Sequence, residues 1–494
     1  MEELYKTVEE TPEPVEARVT GTIPDWLDGT LYRNGPGKFE FGDTRCGHWF
    51  DGMAILHRFR IKNGQVTYTS KFVRSDAYLK NKAANRIVVS GFGTVRHPDP
   101  CKNIFQRFFS YFSLGEMTDN TNVNIYPFGD ALYAATETPV LRKIDPDTLD
   151  SPGKVDLRDY VAVNTATAHP HIDEDGTVYN LGSSKGGYAI IKLVPPKKGS
   201  GDFAEKAEIV STVAPEWRTR PSYFHSFAIT ENYFVLVEQS LVFNLITMLT
   251  CNFRGKAFNE ALEFHPDKKC RIHIIDRKTG EKVNPKITYT SQPHICFHHA
   301  NAYEEDGKII IDLCSFEDGE SINKVSVENI QGSDAEHLFR TLTFSSLRRI
   351  HVPLSPEGMT GGATVECKVE TIGSQLIDFP MINYKAYNGK KYKYLYGCGK
   401  QKFAFDCILK IDMDTGEPLI WHHEGCFPSE PVFVPHPQPE AEDHGIILSL
   451  ILTTGKDRHA FLLLLDARDF REMGRATVPL KLGKDFHGFF ANSK

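Results

Sequence analysis

The sequence predicts an all-β fold built from repeated four-stranded units. Short β-type runs alternate with turn signals along the chain, and an apolar strand that ends in Asp before a turn recurs four times. The runs include Ala131-Leu132-Tyr133-Ala134-Ala135, Tyr233-Phe234-Val235-Leu236-Val237 and Lys308-Ile309-Ile310-Ile311, each after a polar or Gly-containing turn. The recurring element reads Ile144-Asp145-Pro146-Asp147, Ile275-Asp276-Arg277-Lys278, Ile411-Asp412-Met413-Asp414 and Leu465-Asp466-Ala467-Arg468. Three copies continue into Thr-Leu or Thr-Gly, a hairpin connection to the next strand. Repeats of this kind read as propeller blades, with a β-sandwich array as the alternative that the pattern allows.

No low-complexity linker divides the chain. The Pro-rich stretch at 433–439 and Pro-Pro-Lys-Lys at 195–198 read as loops between units, so residues 1–494 are expected to form one domain. With 40% hydrophobic and 24% charged residues, the composition is that of an ordinary globular protein. A net charge of −7 argues against a general nucleic-acid binder, which needs a basic surface. The 33 phenylalanines either fill a large core or line an apolar tunnel; composition does not choose. Ten scattered cysteines without a Cys-x-x-Cys pair fit a reducing cytosol. No signal peptide opens the sequence, and the longest apolar stretches are too short to span a bilayer. A soluble chain, or one attached to a single membrane face, is expected.

Four histidines stand in apolar or small-residue surroundings that resemble strand ends: His169, His225, His298 and His487. Imidazole suits Fe, Zn, Cu and Ni. None of the four has zinc-finger or His-Glu-x-x-His spacing, so a shared site would need each from a different part of the fold. Inner strands of propeller blades, all facing one axis, supply that geometry. Between His298 and His299, adjacent on a strand and facing opposite ways, the residues alone do not decide.

Nearly the full length resembles the carotenoid cleavage oxygenase family, in its animal branch. The matching stretches are Leu31-Tyr32-Arg33-Asn34-Gly35-Pro36-Gly37, His48-Trp49-Phe50-Asp51-Gly52, Pro98-Asp99-Pro100-Cys101-Lys102-Asn103 and Thr136-Glu137-Thr138. Further along come Thr167-Ala168-His169-Pro170-His171, Phe427-Pro428-Ser429-Glu430-Pro431 and Phe486-His487-Gly488. The resemblance implies a seven-bladed propeller with a helical and loop cap over the metal-bearing face. It implies Fe2+ held by His169, His225, His298 and His487. It also implies three acids behind the ligands: Glu137, Glu430 and, where the family carries Glu-Phe-Pro, Asp378 of Asp378-Phe379-Pro380. Asp is one methylene shorter than Glu, so its hydrogen bond to imidazole is expected to be longer or to pass through water. Loss of such a partner typically costs about 10–100-fold in metal affinity or activity.

The implied reaction is addition of dioxygen to a polyene double bond, giving two aldehydes without an organic cofactor. Four neutral imidazoles would leave the full charge on the metal and two positions open in an octahedral field, with the acids orienting the rings. Thr136 would stand beside the iron, and Phe50, Phe92 and Phe379 would line a pocket for the hydrocarbon rod; plain core is the other reading of each Phe. Ile104, Phe105, Phe108, Phe109 and Phe112 fall on one side of a helical pattern with Lys102 and Arg107 beside them. That reads as an interfacial membrane helix, or as a helix packed on the propeller. The stretch 241–249 is a second candidate for the same patch, and Cys101 a candidate for acylation.

Animal relatives perform central 15,15' cleavage, eccentric 9',10' cleavage, or isomerohydrolysis of retinyl esters. Tyr126-Pro127-Phe128-Gly129-Asp130 and Asp312-Leu313-Cys314-Ser315-Phe316 look most similar to insect carotenoid isomerooxygenases, which cleave centrally and isomerise one half to the 11-cis form. Phe50-Asp51-Gly52-Met53 is similar instead to the eccentric vertebrate type. The expectation is central cleavage of a zeaxanthin- or β-carotene-like substrate with isomerisation, at a peripheral membrane surface on the cytoplasmic side. A non-catalytic carotenoid carrier on the same scaffold is the reading from a different class.

Overall fold

The computed structural model describes residues 1–102, 118–355, 362–455 and 459–493. Strand makes up 46% and helix 11% of the chain, so the all-β expectation holds. Sheets of four to six strands, all but one pair of them antiparallel, follow one another along the sequence. A seven-stranded sheet divides at its longest strand, Lys368–Met381, whose first part pairs with Ser346–Pro353 and whose last part pairs with Tyr394–Lys400. Counted as two, it brings the sheets of four or more strands to seven among the described residues.

The two ends of the chain share sheets. Gly29–Lys38 pairs antiparallel with His487–Asn492, and Arg18–Gly21 pairs with Glu472–Thr477. Backbone hydrogen bonds thereby tie the first part of the chain to the last in two sheets.

The recurring Asp marks one structural device. Each copy joins the third strand of a sheet to its neighbour, as in Val140–Ile144 to Gly153–Asp156 and Ala404–Asp412 to Pro418–His422. The carboxylate turns back onto the chain: Asp276 Oδ1 accepts from the N–H of Lys278 (2.9 Å) and Thr279 (2.8 Å), Asp145 and Asp412 repeat the pattern, and Asp466 accepts from the Arg468 N–H. The residue four positions on then donates its N–H to the Asp carbonyl and lies at positive φ: Leu149 (+58°), Gly280 (+72°), Gly416 (+77°) and Phe470 (+61°). Gly adopts that conformation freely; Leu149 and Phe470 are buried, and their packing offsets the strain.

Most of the described α-helices gather at one place. Asp76–Ala84, Leu245–Arg254 and the short helices between Glu320 and Thr341 all contribute side chains or adjoining residues to the wall of a single large cavity, forming its cap. Among the described residues no helix is long and apolar enough to cross a membrane. All ten cysteines are free, and only Cys101 is exposed.

Candidate metal centre and cavity

His169, His225, His298 and His487 each belong to, or adjoin, an edge strand of a different sheet. His169 lies just beyond Thr165–Ala166, His225 just before Ala228–Ile229, His298 within Ile295–Glu305, and His487 opens His487–Asn492. The four imidazoles converge beside the cavity, which His225, His298 and His487 line, with one nitrogen from each within 4.8 Å of all the others. Ring centroids of His169 stand 4.4 Å from both His225 and His487 and 5.2 Å from His298.

Three of the rings are aimed from behind. His225 Nδ1 meets Glu137 Oε1, His298 Nδ1 meets Asp378 Oδ1 at 2.7 Å, and His487 Nδ1 meets Glu430 Oε1 at 2.7 Å. A carboxylate at Nδ1 keeps the proton there and leaves the Nε2 lone pair facing the cluster. Burial pushes His169 well below the ordinary imidazole range, with the neighbouring rings adding to it. Burial likewise carries His487 to about 4, although Glu430 pulls the other way. Neutral imidazoles are the form that binds a metal.

The site fits a cation. His298 Nε2 is buried and has no hydrogen-bond partner, and His169 Nε2 lies 2.9 Å from His225 Nε2. Two ligand nitrogens at right angles on an ion, each about 2.1 Å from it, stand about 3 Å apart.

Asp378 departs from expectation. Its bond to His298 is direct and of ordinary length, where the shorter side chain had suggested a longer or water-bridged one. A backbone irregularity accompanies the contact. The register with Tyr394–Lys400 slips between Asp378 and Met381, and Phe379 sits at φ +53° with its N–H on Asp378 Oδ1 at 2.8 Å. The bulge carries the carboxylate toward the ring. His299 faces away from the cluster, its Nδ1 2.8 Å from Ser226 Oγ.

The cavity encloses about 980 Å³ and its wall is largely aromatic and aliphatic. Phe50, Phe92, Phe379 and Thr136 all line it. From His487 the wall runs through Phe486 to Phe50 (ring centroids 5.8 Å apart) and on to Phe92 (5.9 Å), while Phe379 packs 5.1 Å from both His298 and His487. Ile104, Phe105, Phe108, Phe109 and Phe112 lie outside the described residues. Of the second stretch, Leu241 and Val242 are buried in a strand, and the helix Leu245–Arg254 takes up the rest. That helix exposes Ile246, Leu249 and Phe253, and its Leu245, Met248 and Leu249 line the cavity.

Two contributors were not assigned from sequence. Tyr223 donates its hydroxyl to Glu137 Oε1 at 2.7 Å, pinning an acid that is one-third exposed. Arg33, wholly buried, grips Asp485 with two nitrogens (2.8 and 3.1 Å) and reaches Glu430 Oε2 at 3.2 Å, so it holds the acid behind His487. A buried Arg demands acidic partners. That was the available signal, in a motif read only for its resemblance.

The pattern described as RPE65, retinal pigment epithelial membrane protein, matches residues 5–492. The chain belongs to that family. A carotenoid-cleaving dioxygenase, mitochondrial, of Mustela putorius furo is 41% identical over 99% of this chain and 95% of its own length. A beta,beta-carotene 15,15'-dioxygenase of Gallus gallus is 41% identical over 99% of this chain and 98% of its own length, and that of Mus musculus is 44% identical over 97% and 89%. Among solved structures, cobalt-substituted Synechocystis ACO, an apocarotenoid oxygenase, superposes with a TM-score of 0.80 at 27% identity, covering 99% of this chain and 98% of that one. The carotenoid cleavage oxygenase family indicated by the motifs is therefore the right one.

Proposed function

We propose that the chain is a ferrous dioxygenase that splits a carotenoid at its central 15,15' double bond into two retinal-type aldehydes, on a single seven-bladed propeller domain. The observation that carries the reading is the convergence of four imidazoles, three of them backed by carboxylates, beside a large apolar cavity. Names of relatives at 41–44% identity support the substrate class. His169, His225, His298 and His487 would hold Fe2+, which when bound supplies the centre that activates dioxygen.

The protein's own part is positional. Phe486, Phe50, Phe92 and Phe379 confine a hydrocarbon rod and keep water from the reacting bond. Glu137, Asp378 and Glu430 fix the rings, and Tyr223 fixes Glu137. Thr136, on the wall beside Glu137, trims the space next to the cluster.

The carotenoid would enter from a membrane. The helix Leu245–Arg254 turns Ile246 (66% exposed), Leu249 (52%) and Phe253 (60%) outward at the cavity rim, which suits an interfacial contact. Isomerisation of one product to the 11-cis form is the finer part of the reading and rests on the stretches similar to the insect enzymes. Eccentric cleavage is the second reading: Phe50-Asp51-Gly52-Met53 is similar to the eccentric vertebrate type, and carotenoid-cleaving dioxygenases whose names specify no position match the chain as extensively as the 15,15' enzymes.

Incubation of iron-loaded protein with β-carotene under ¹⁸O-labelled dioxygen tests the proposal. Two labelled C20 aldehydes are expected. A C27 and C13 pair would replace central by eccentric cleavage, and unchanged bound carotenoid would reduce the protein to a carrier.

A further inference from the structure

Three of the four clustered imidazoles have a carboxylate at Nδ1, and His169 does not. Among the described residues no group bonds its Nδ1, while its Nε2 faces His225 Nε2 at 2.9 Å. A metal-binding histidine ordinarily gives its second ring nitrogen to a neighbour that fixes the ring. His169 has to be aimed by other means. Regular pairing offers little here, because the flanking strands Thr165–Ala166 and His171–Ile172 are two residues each.

Side-chain amides hold the backbone instead. Asn124 Nδ2 donates to the Ala168 carbonyl at 2.7 Å, and the carbonyl of Asn124 accepts in turn from Asn34 Nδ2 at 2.8 Å. Asn180 Nδ2 donates to the Thr167 carbonyl at 2.8 Å, and its Oδ1 accepts from Thr167 Oγ1 at 2.6 Å. The same Oγ1 accepts the His169 N–H at 3.2 Å. Both peptide carbonyls ahead of His169 are thereby held from neighbouring strands, Asn124–Phe128 and Val178–Ser184. Asn34 stands opposite His487 in the paired strands Gly29–Lys38 and His487–Asn492, so the amides tie the peptide before one ligand to the strand beside another. Asn34, Thr167, Ala168 and Asn180 are buried, where water does not compete for these bonds. Pro170 follows and disfavours helical backbone at His169.

We propose that Asn124 and Asn180 are positioning residues for the metal ligand His169: they grip the two peptide units before it and so aim a ring that has no acid behind it. The inference deepens the metal-centre reading and rests on it. Three ligands are held by their rings, and the fourth by its backbone.

Competition between the Co2+-loaded full chain and a chelator reads metal affinity without carotenoid or turnover. Asn124→Leu and Asn180→Leu keep a similar branched shape and lose the amide, and each should weaken Co2+ binding by at least about ten-fold. Thr167→Val removes only the hydroxyl between Asn180 and the His169 N–H and should act in the same direction, by less. Each substitution is then repeated in the His169→Ala background, where no ring is left to aim. There the affinity should stay within about two-fold of His169→Ala alone. An equal loss in both backgrounds would mark a general loosening of the fold and overturn the proposal, as would wild-type affinity in all three single variants. Failure of the ligand reading shows separately, as a His169→Ala protein that binds Co2+ as tightly as wild type, and takes the proposal with it. Absence of carotenoid cleavage beside the expected affinities would refute the oxygenase reading alone and leave the clamp standing.

Discussion

Replacing Asp378 probes the arrangement at the point where it departs from the family pattern. The carboxylate is 5% exposed, lies 2.7 Å from His298 Nδ1, and also takes the Phe379 N–H at 2.8 Å. Asp378→Ala removes a charge-assisted hydrogen bond worth about 1.5–3 kcal/mol, which corresponds to a loss of roughly 10–140-fold in binding at about 1.4 kcal/mol per decade. The upper half of that range is expected, because the Phe379 N–H is orphaned in the same step and the strained φ of +53° loses its anchor. Asp378→Glu restores the family's residue but puts an extra methylene into a bulge shaped for Asp, so affinity should fall here too, by less than ten-fold. Anaerobic titration of metal-free protein with Fe2+ or Co2+ reads both values. An Asp378→Ala variant that binds metal within two-fold of wild type, while Glu430→Ala weakens it, would refute the reasoning.

Other expectations follow from single contacts. Arg33→Met strands Asp485 and Glu430 without their cation and should cost about 3–5 kcal/mol of stability in urea unfolding. In the wild type, burial alone would raise the Asp485 carboxyl, but Arg33 outweighs it and holds it below the usual range. The pair's contribution is therefore full above about pH 4 and is lost as pH falls through the folded value. In Arg33→Met only His57 and Ser429 are left to oppose the burial of Asp485, so the carboxyl should rise and stability should increase on acidification, a reversed slope. Gly280→Ala sets a Cβ 2.3 Å from the Val210 carbonyl at φ +72° and should cost at least about 1–2 kcal/mol, read as a lower Tm. Substituting Ser for Ile246 and Phe253 together should release the protein from phospholipid vesicles in a flotation assay while leaving turnover of detergent-dispersed carotenoid within two-fold.

The fold class was legible because alternation and turn chemistry are local. The Asp repeat proved to be a genuine turn, and its positive-φ position explains why Gly follows Thr in two copies. The four histidines were legible only with the family motifs, since their convergence depends on pairing between the first part of the chain and the last. Nothing within a few residues of His298 distinguishes it from His299; Ser226, 73 positions away, does so by holding the latter. The direct reach of Asp378 was not legible, because a bulge is a property of two paired strands and the sequence shows only one of them.

X-ray absorption of the Fe2+-loaded protein tests the central claim most directly. The account predicts four imidazoles at about 2.1 Å, with the characteristic outer-ring scattering of each. Loss of one ring is expected in each of His169→Ala, His225→Ala, His298→Ala and His487→Ala. A spectrum fitted by two imidazoles or fewer, or by a carboxylate bound directly to the iron, would contradict it.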